Sequence, residues 1–132
     1  MAKKLSQILG TDNDVEITLP GLLFKAGLDA HITHLEQRDK TLARHNAMSI
    51  FYESIDGLTD TFVETYFGIY GVTAICVDEC CCIKEPVSYF EDLYSQIDTL
   101  RKPIKESFLQ NQIDEIQQLI AHTLYRLKNI TT

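Results

Sequence analysis

Glu53, Asp56, Asp60 and Glu64 follow one another at steps of three, four and four residues, so on a helix their carboxylates line one side. His31 and His34 stand three residues apart upstream of them, and His45 follows after a polar break. Carboxylate oxygens together with imidazole nitrogens are the donor set that a transition metal such as iron or manganese takes. Alone, a run of acids reads as a solvated helix face and an isolated histidine as a surface or capping residue. The two groups together raise the question of metal chemistry.

Spacing limits how they could meet. Asp60 and Glu64 are one turn apart and can share an ion, whereas His45 lies 60 − 45 = 15 residues before Asp60, about 22 Å along the same helix axis. One subunit therefore cannot bring all four to one ion. Antiparallel packing of this helix on a second copy about a twofold axis brings the His34/His45 end of one chain to the Asp60/Glu64 end of the other, creating two equivalent sites. His31 and Asp56 are secondary candidate ligands. With Ile55 set at zero, Leu58 and Phe62 fall within about 60° of it, Asp60 near 140° and Glu64 near 180°, so the acids face away from their helix's own core.

The cysteines, Cys76, Cys80, Cys81 and Cys82, all lie within seven residues and cannot staple distant parts of the chain, which reads as a reduced set. Cys76 and Cys80 have the spacing of half a structural zinc site, but no second pair exists elsewhere. The chain carries no nucleophile elbow, no phosphate-cradling glycine loop and no H-E-x-x-H. It also lacks the E-x-x-H pairs of larger di-iron bundles, so iron chemistry would sit at an interface.

The elements that must position these groups are helical. Leu19-Pro20-Gly21 opens a helix over about 22–36, and Asp39 can cap the next. Met48, Phe51, Ile55, Leu58, Phe62 and Tyr66 then recur at helical steps and predict a long helix over 41–67, ended by Gly68 and Gly71. A third follows Pro86, with Ser88 and Glu91 spaced as a capping box, a stripe running from Phe90 to Phe108, and a kink at Pro103. After a joint at 110–112, Ile113, Ile116, Ile120, Leu124 and Leu127 mark a fourth. Only 71–77, where Val, Thr and Ile cluster, hints at a strand. The expectation is an all-α four-helix bundle, with an irregular, cysteine-containing crossover over 70–86 between its second and third helices. Residues 1–18 are expected to form an N-terminal arm of a single domain spanning 1–132.

Composition bounds the partners. At 132 residues, with 45% hydrophobic and 23% charged side chains, the chain can bury one core. Its 12 Lys and Arg against 19 Asp and Glu give 12 − 19 = −7, which argues against nucleic acid or an anionic membrane. No apolar run reaches signal-peptide or membrane-spanning length, so a cytoplasmic protein is expected.

His34 and His45, followed by Asp60 and Glu64 in D-x-x-x-E spacing, resemble the Dps-type miniferritins of the ferritin-like superfamily. Residues 45–71, with Phe51-Tyr52, Ile55-Asp56 and Phe62-Val63-Glu64-Thr65-Tyr66, look most like the small ferritin-like proteins of tailed bacteriophages, as does the closing stretch 113–125. The resemblance implies a ferritin-like bundle that dimerises and assembles further, with an inter-subunit site oxidising iron(II) by peroxide or oxygen. His34 and His45 would come from one subunit, Asp60 and Glu64 from the other, with Glu64 the bridging carboxylate. The sequence departs from the Dps pattern in three ways: an eleven-residue rather than twelve-residue histidine interval, Leu35 in place of a Trp, and Thr65 in place of an Arg. The DNA binding associated with the Dps name is not carried over, because the only N-terminal cations are Lys3 and Lys4. The alternative is a non-catalytic bundle serving as a structural or interaction subunit, in a phage particle or its assembly, with a location in host cytoplasm or virion.

Overall fold

A computed structural model describes residues 17–36 and 41–130. Four helices make up the described chain: α1 (Leu19–Glu36), α2 (Leu42–Tyr70), α3 (Pro86–Leu100) and α4 (Ser107–Asn129). No strand occurs among the described residues.

The helices form where apolar side chains recur once per turn. Phe51, Ile55 and Phe62 of α2 are buried against Leu23, Ala26 and Ala30 of α1, Phe90, Leu93 and Ile97 of α3, and Ile113, Ile116 and Ile120 of α4. Phe51 and Phe90 meet edge to face with ring centroids 4.7 Å apart, which ties α2 to α3 across the core.

Side-chain contacts fix the directions. Tyr70, at the end of α2, donates to Glu106 beside the start of α4, and Gln112 of α4 donates to Thr65 of α2 at 3.2 Å, so these helices are antiparallel. Lys128 near the end of α4 pairs with Glu91 near the start of α3. Tyr89, opening α3, reaches Asp29 in the second half of α1 at 2.7 Å. Helices α2 and α3 therefore run the same way, and the chain between them must climb back along the bundle.

Several element ends differ from expectation. Thr41 caps α2 by accepting the Arg44 N–H at 3.2 Å, while Asp39 lies outside the described residues, as do 1–16 of the expected arm. Helix α2 continues through Gly68 and stops at Gly71, whose φ of 90° suits glycine. Ser88 does not cap α3; Glu85 occupies that position without a side-chain bond and Pro86 begins the helix. Pro103 does not kink α3, which already ends at Leu100, and the helix-compatible spacing of Ile104 and Phe108 crosses a joint into α4. Arg101 ties that joint to α4 by donating to Gln110 Oε1 at 2.6 Å, Gln110 O at 3.0 Å and Asp114 at 2.7 Å, and Gln110 Nε2 donates in return to the carbonyls of Arg101 and Ile104 at 2.9 and 2.8 Å. The hint of a strand at 71–77 becomes chain without helix, ladder, turn or bend.

Candidate functional site

Helix α1 and the start of α2 bring three histidines together. His34 and His45 stack with centroids 4.0 Å apart, and Tyr52 lies between the groups, stacked on His31 at 4.1 Å and edge-on to His34 at 5.3 Å. His34 Nδ1 is 3.4 Å from the carbonyl oxygen of His45, at the long end of hydrogen bonding. With the hydrogen on Nδ1, that contact orients the ring and leaves Nε2 as the nitrogen with a lone pair for a ligand. Tyr52 was legible in the sequence only as part of a resemblance; its role as the ring that links the imidazoles was not.

Asp60 and Glu64 lie farther along α2, exposed and without an ion pair among the described residues; Glu53 and Asp56 are exposed on the same helix. Among the described residues of one chain, no group of three or more His, Cys, Asp or Glu side chains could hold a metal ion. The structure thus brings His31, His34 and His45 together and keeps Asp60 and Glu64 apart from them. His122 is exposed on α4, away from this joint in sequence.

Between the two ends, α1 and α2 leave an open trough of about 840 Å³, lined by Phe24, Leu28, His31, Tyr52, Glu53 and Asp56 among others, with Ile75 and Val77 forming part of its wall. That wall is held to α1 by a carboxylate the sequence reading missed. Asp29 is only 1% exposed, yet it accepts the Cys81 N–H at 2.9 Å, the Tyr89 hydroxyl at 2.7 Å and an ion pair from Lys25. One turn on, buried Thr33 donates to the Asp29 carbonyl at 2.6 Å and accepts the Ile83 N–H at 2.7 Å. Burial together with the Asp29 hydrogen bond raises the Tyr89 phenol far above its ordinary range. A signal for this clamp exists in the sequence: Asp29 and Thr33 continue the steps of Leu22 and Ala26, so polar groups stand at core positions.

The four cysteines are free and spread along this segment. Burial, then the negative charge of Asp29, pushes the Cys80 thiol above its ordinary range and keeps it protonated.

Fold and site together define a four-helix, all-α bundle with an imidazole cluster at one end of its α1–α2 face and carboxylates at the other. The chain belongs to a family of unknown function, DUF5856, whose pattern matches residues 34–127 and so includes His34, His45, Asp60 and Glu64. No curated protein and no solved structure matches it. No helix among the described residues is long and apolar enough to cross a membrane.

Proposed function

We propose that this chain is the subunit of a ferritin-like homo-oligomer that oxidises iron(II), its substrate, at sites shared between subunits. His34 and His45 of one copy would bind it with Asp60 and Glu64 of a second, through antiparallel pairing of α2. The observation that carries the reading is the division of the donor set. The imidazoles cluster at the α1–α2 joint, and the exposed carboxylates stand about 22 Å along α2. Among the described residues neither half completes a site within one chain, and a twofold axis makes them complementary.

The residues suit the ion chemically. Imidazole nitrogen and carboxylate oxygen are donors that iron(II) accepts, and the carbonyl of His45 stands where it can orient His34. Two iron(II) ions each give one electron to a peroxide, whose O–O bond breaks to leave two hydroxides, and the ferric product leaves as mineral. Exposed Leu28, Leu35 and Ile50 on α1 and α2 support burial of this face by a second copy.

A second reading is favoured by the stacking itself. His31 on Tyr52 and His34 on His45 use ring faces for packing, as they would in a non-catalytic bundle acting as a structural or interaction subunit, including one in a phage particle. Mixing the protein with iron(II) and peroxide separates the two. The iron reading expects ferric absorbance to rise faster than in buffer and the gain to vanish in His45→Ala and Glu64→Ala. Oxidation no faster than buffer overturns it.

A further inference from the structure

Residues 71–77, Gly-Val-Thr-Ala-Ile-Cys-Val, carry no charge, and four of the seven are β-branched. They run without helix, turn or bend, and Val72 is 82% exposed, with Ile75 and Val77 also exposed. Among the described residues, no hydrogen bond reaches the main-chain N–H or C=O groups of 72–77. Among the described residues such a chain presents an open strand edge, which a second strand can complete.

The register follows from one contact. The Cys76 carbonyl lies against α1, so close that a Cβ on Gly21 would stand 2.4 Å from it. In extended chain, main-chain groups of alternate residues point to opposite sides, so those of Thr73, Ile75 and Val77 point away from α1. We propose that residues 72–77 form an antiparallel ladder with the same residues of a second copy, about a twofold axis through Ile75. Ile75 then pairs with itself and Thr73 with Val77, and the three outward-facing residues of each copy exchange about six main-chain hydrogen bonds.

Charge selects both the occupant and the register. Each copy carries −7, and 71–77 is a neutral stretch through which two like-charged chains can touch. With Ile75 on the axis, Asp78 stands opposite Val72 and Glu79 opposite Gly71, so no acid faces an acid. Slipping the axis to Asp78 would set Asp78 against its own copy. A two-stranded ribbon alone is marginal in water, but this one lies beside the apolar trough at Phe24 and Leu28, where side chains of the second copy can be buried.

The ladder rests on main-chain groups and not on the iron reading. Its test is hydrogen exchange and sedimentation of the full chain, with two proline variants. In the wild type, protection of the 73, 75 and 77 amides should rise with protein concentration as dimer forms. Ile75→Pro, which removes the donor at the axis, should weaken the dimer about tenfold or more, and Ala74→Pro, whose N–H is not used, should change it less than about threefold. Helix content by circular dichroism checks that both variants fold. Protection that is independent of concentration, as when residues 1–16 of the same chain cover the edge, overturns the proposal. So does a chain that stays monomeric at about 100 µM, or a dimer equally sensitive or insensitive to both prolines. A dimer that behaves as expected but oxidises no iron keeps the ladder and removes the iron reading; oxidation with an insensitive dimer does the reverse.

Discussion

Asp29 Oδ1 accepts the main-chain N–H of Cys81, 52 residues later in the chain, at 2.9 Å. A buried carboxylate at the centre of α1 thereby holds the returning segment, while its other oxygen takes the hydroxyl that opens α3.

Replacing Asp29 should be among the most destabilising single changes to polar residues. Asp29→Ala leaves the Cys81 N–H, the Tyr89 hydroxyl and the Lys25 ammonium without their shared partner, a cost of about 3 kcal/mol. Asn keeps one oxygen for Cys81 and should lose less. Urea midpoints order the two variants, and an alanine variant within about 0.5 kcal/mol of wild type would show that the clamp adds nothing.

Three glycines should respond with opposite signs. Gly21→Ala drives a Cβ to 2.4 Å from the Cys76 carbonyl, so the segment must shift, at about 1–3 kcal/mol and with faster proteolysis within 71–85. At Gly57 and Gly68 of α2 a Cβ meets nothing within 4 Å, and alanine should stabilise the helix by about 0.5–1 kcal/mol each. Melting temperatures of the three variants decide.

Thiol labelling should divide the cysteines. Cys81 is exposed, whereas burial and the charge of Asp29 raise the Cys80 thiol and shrink its thiolate fraction below pH 9. Iodoacetamide at pH 8 should reach Cys81 before Cys80, and raising the pH should narrow the gap. Asp29→Asn should narrow it too. Mass spectrometry of the labelled peptides gives the order, and equal rates would contradict the environment of Cys80.

Arg101 holds the joint between α3 and α4 through Gln110, Asp114 and Gln117. Arg101→Ala should cost about 2 kcal/mol, because Gln117 is buried and loses a charged donor. Lysine should not restore it, since an ammonium cannot reproduce the planar fork that spans these partners. Thermal denaturation of both variants measures the difference.

The apolar stripe of α2 was legible because every fourth or third position from Met48 to Phe62 is apolar, and those residues are indeed buried or partly so. The end of α3 was not, because Ile104 and Phe108 continue the spacing of Phe90, Leu93 and Ile97 across a joint made by Pro103 and the turn before it. Periodicity reports which face is apolar and is blind to a change of axis. The histidines at the joint were legible from their spacing, and the structure stacks them. Asp29 stands at a core step of α1, but what it does there was not legible, because its partner is a main-chain N–H far away in sequence.

The returning segment also has a fixed length. Cys76 lies beside Gly21 and Ile83 beside Thr33, so 83 − 76 = 7 steps of chain match 33 − 21 = 12 helical residues, about 18 Å of rise. Seven residues at full strand extension reach about 23 Å, which leaves little slack. The segment therefore acts as a ruler that sets how high α3 starts beside α1, and with it the level at which Phe90 meets Phe51. Its side chains can vary more freely than its residue count. Removing two residues would leave about 16 Å of reach, about 2 Å too short, and so draw α3 down or break the Asp29 and Thr33 bonds, whichever residues were taken.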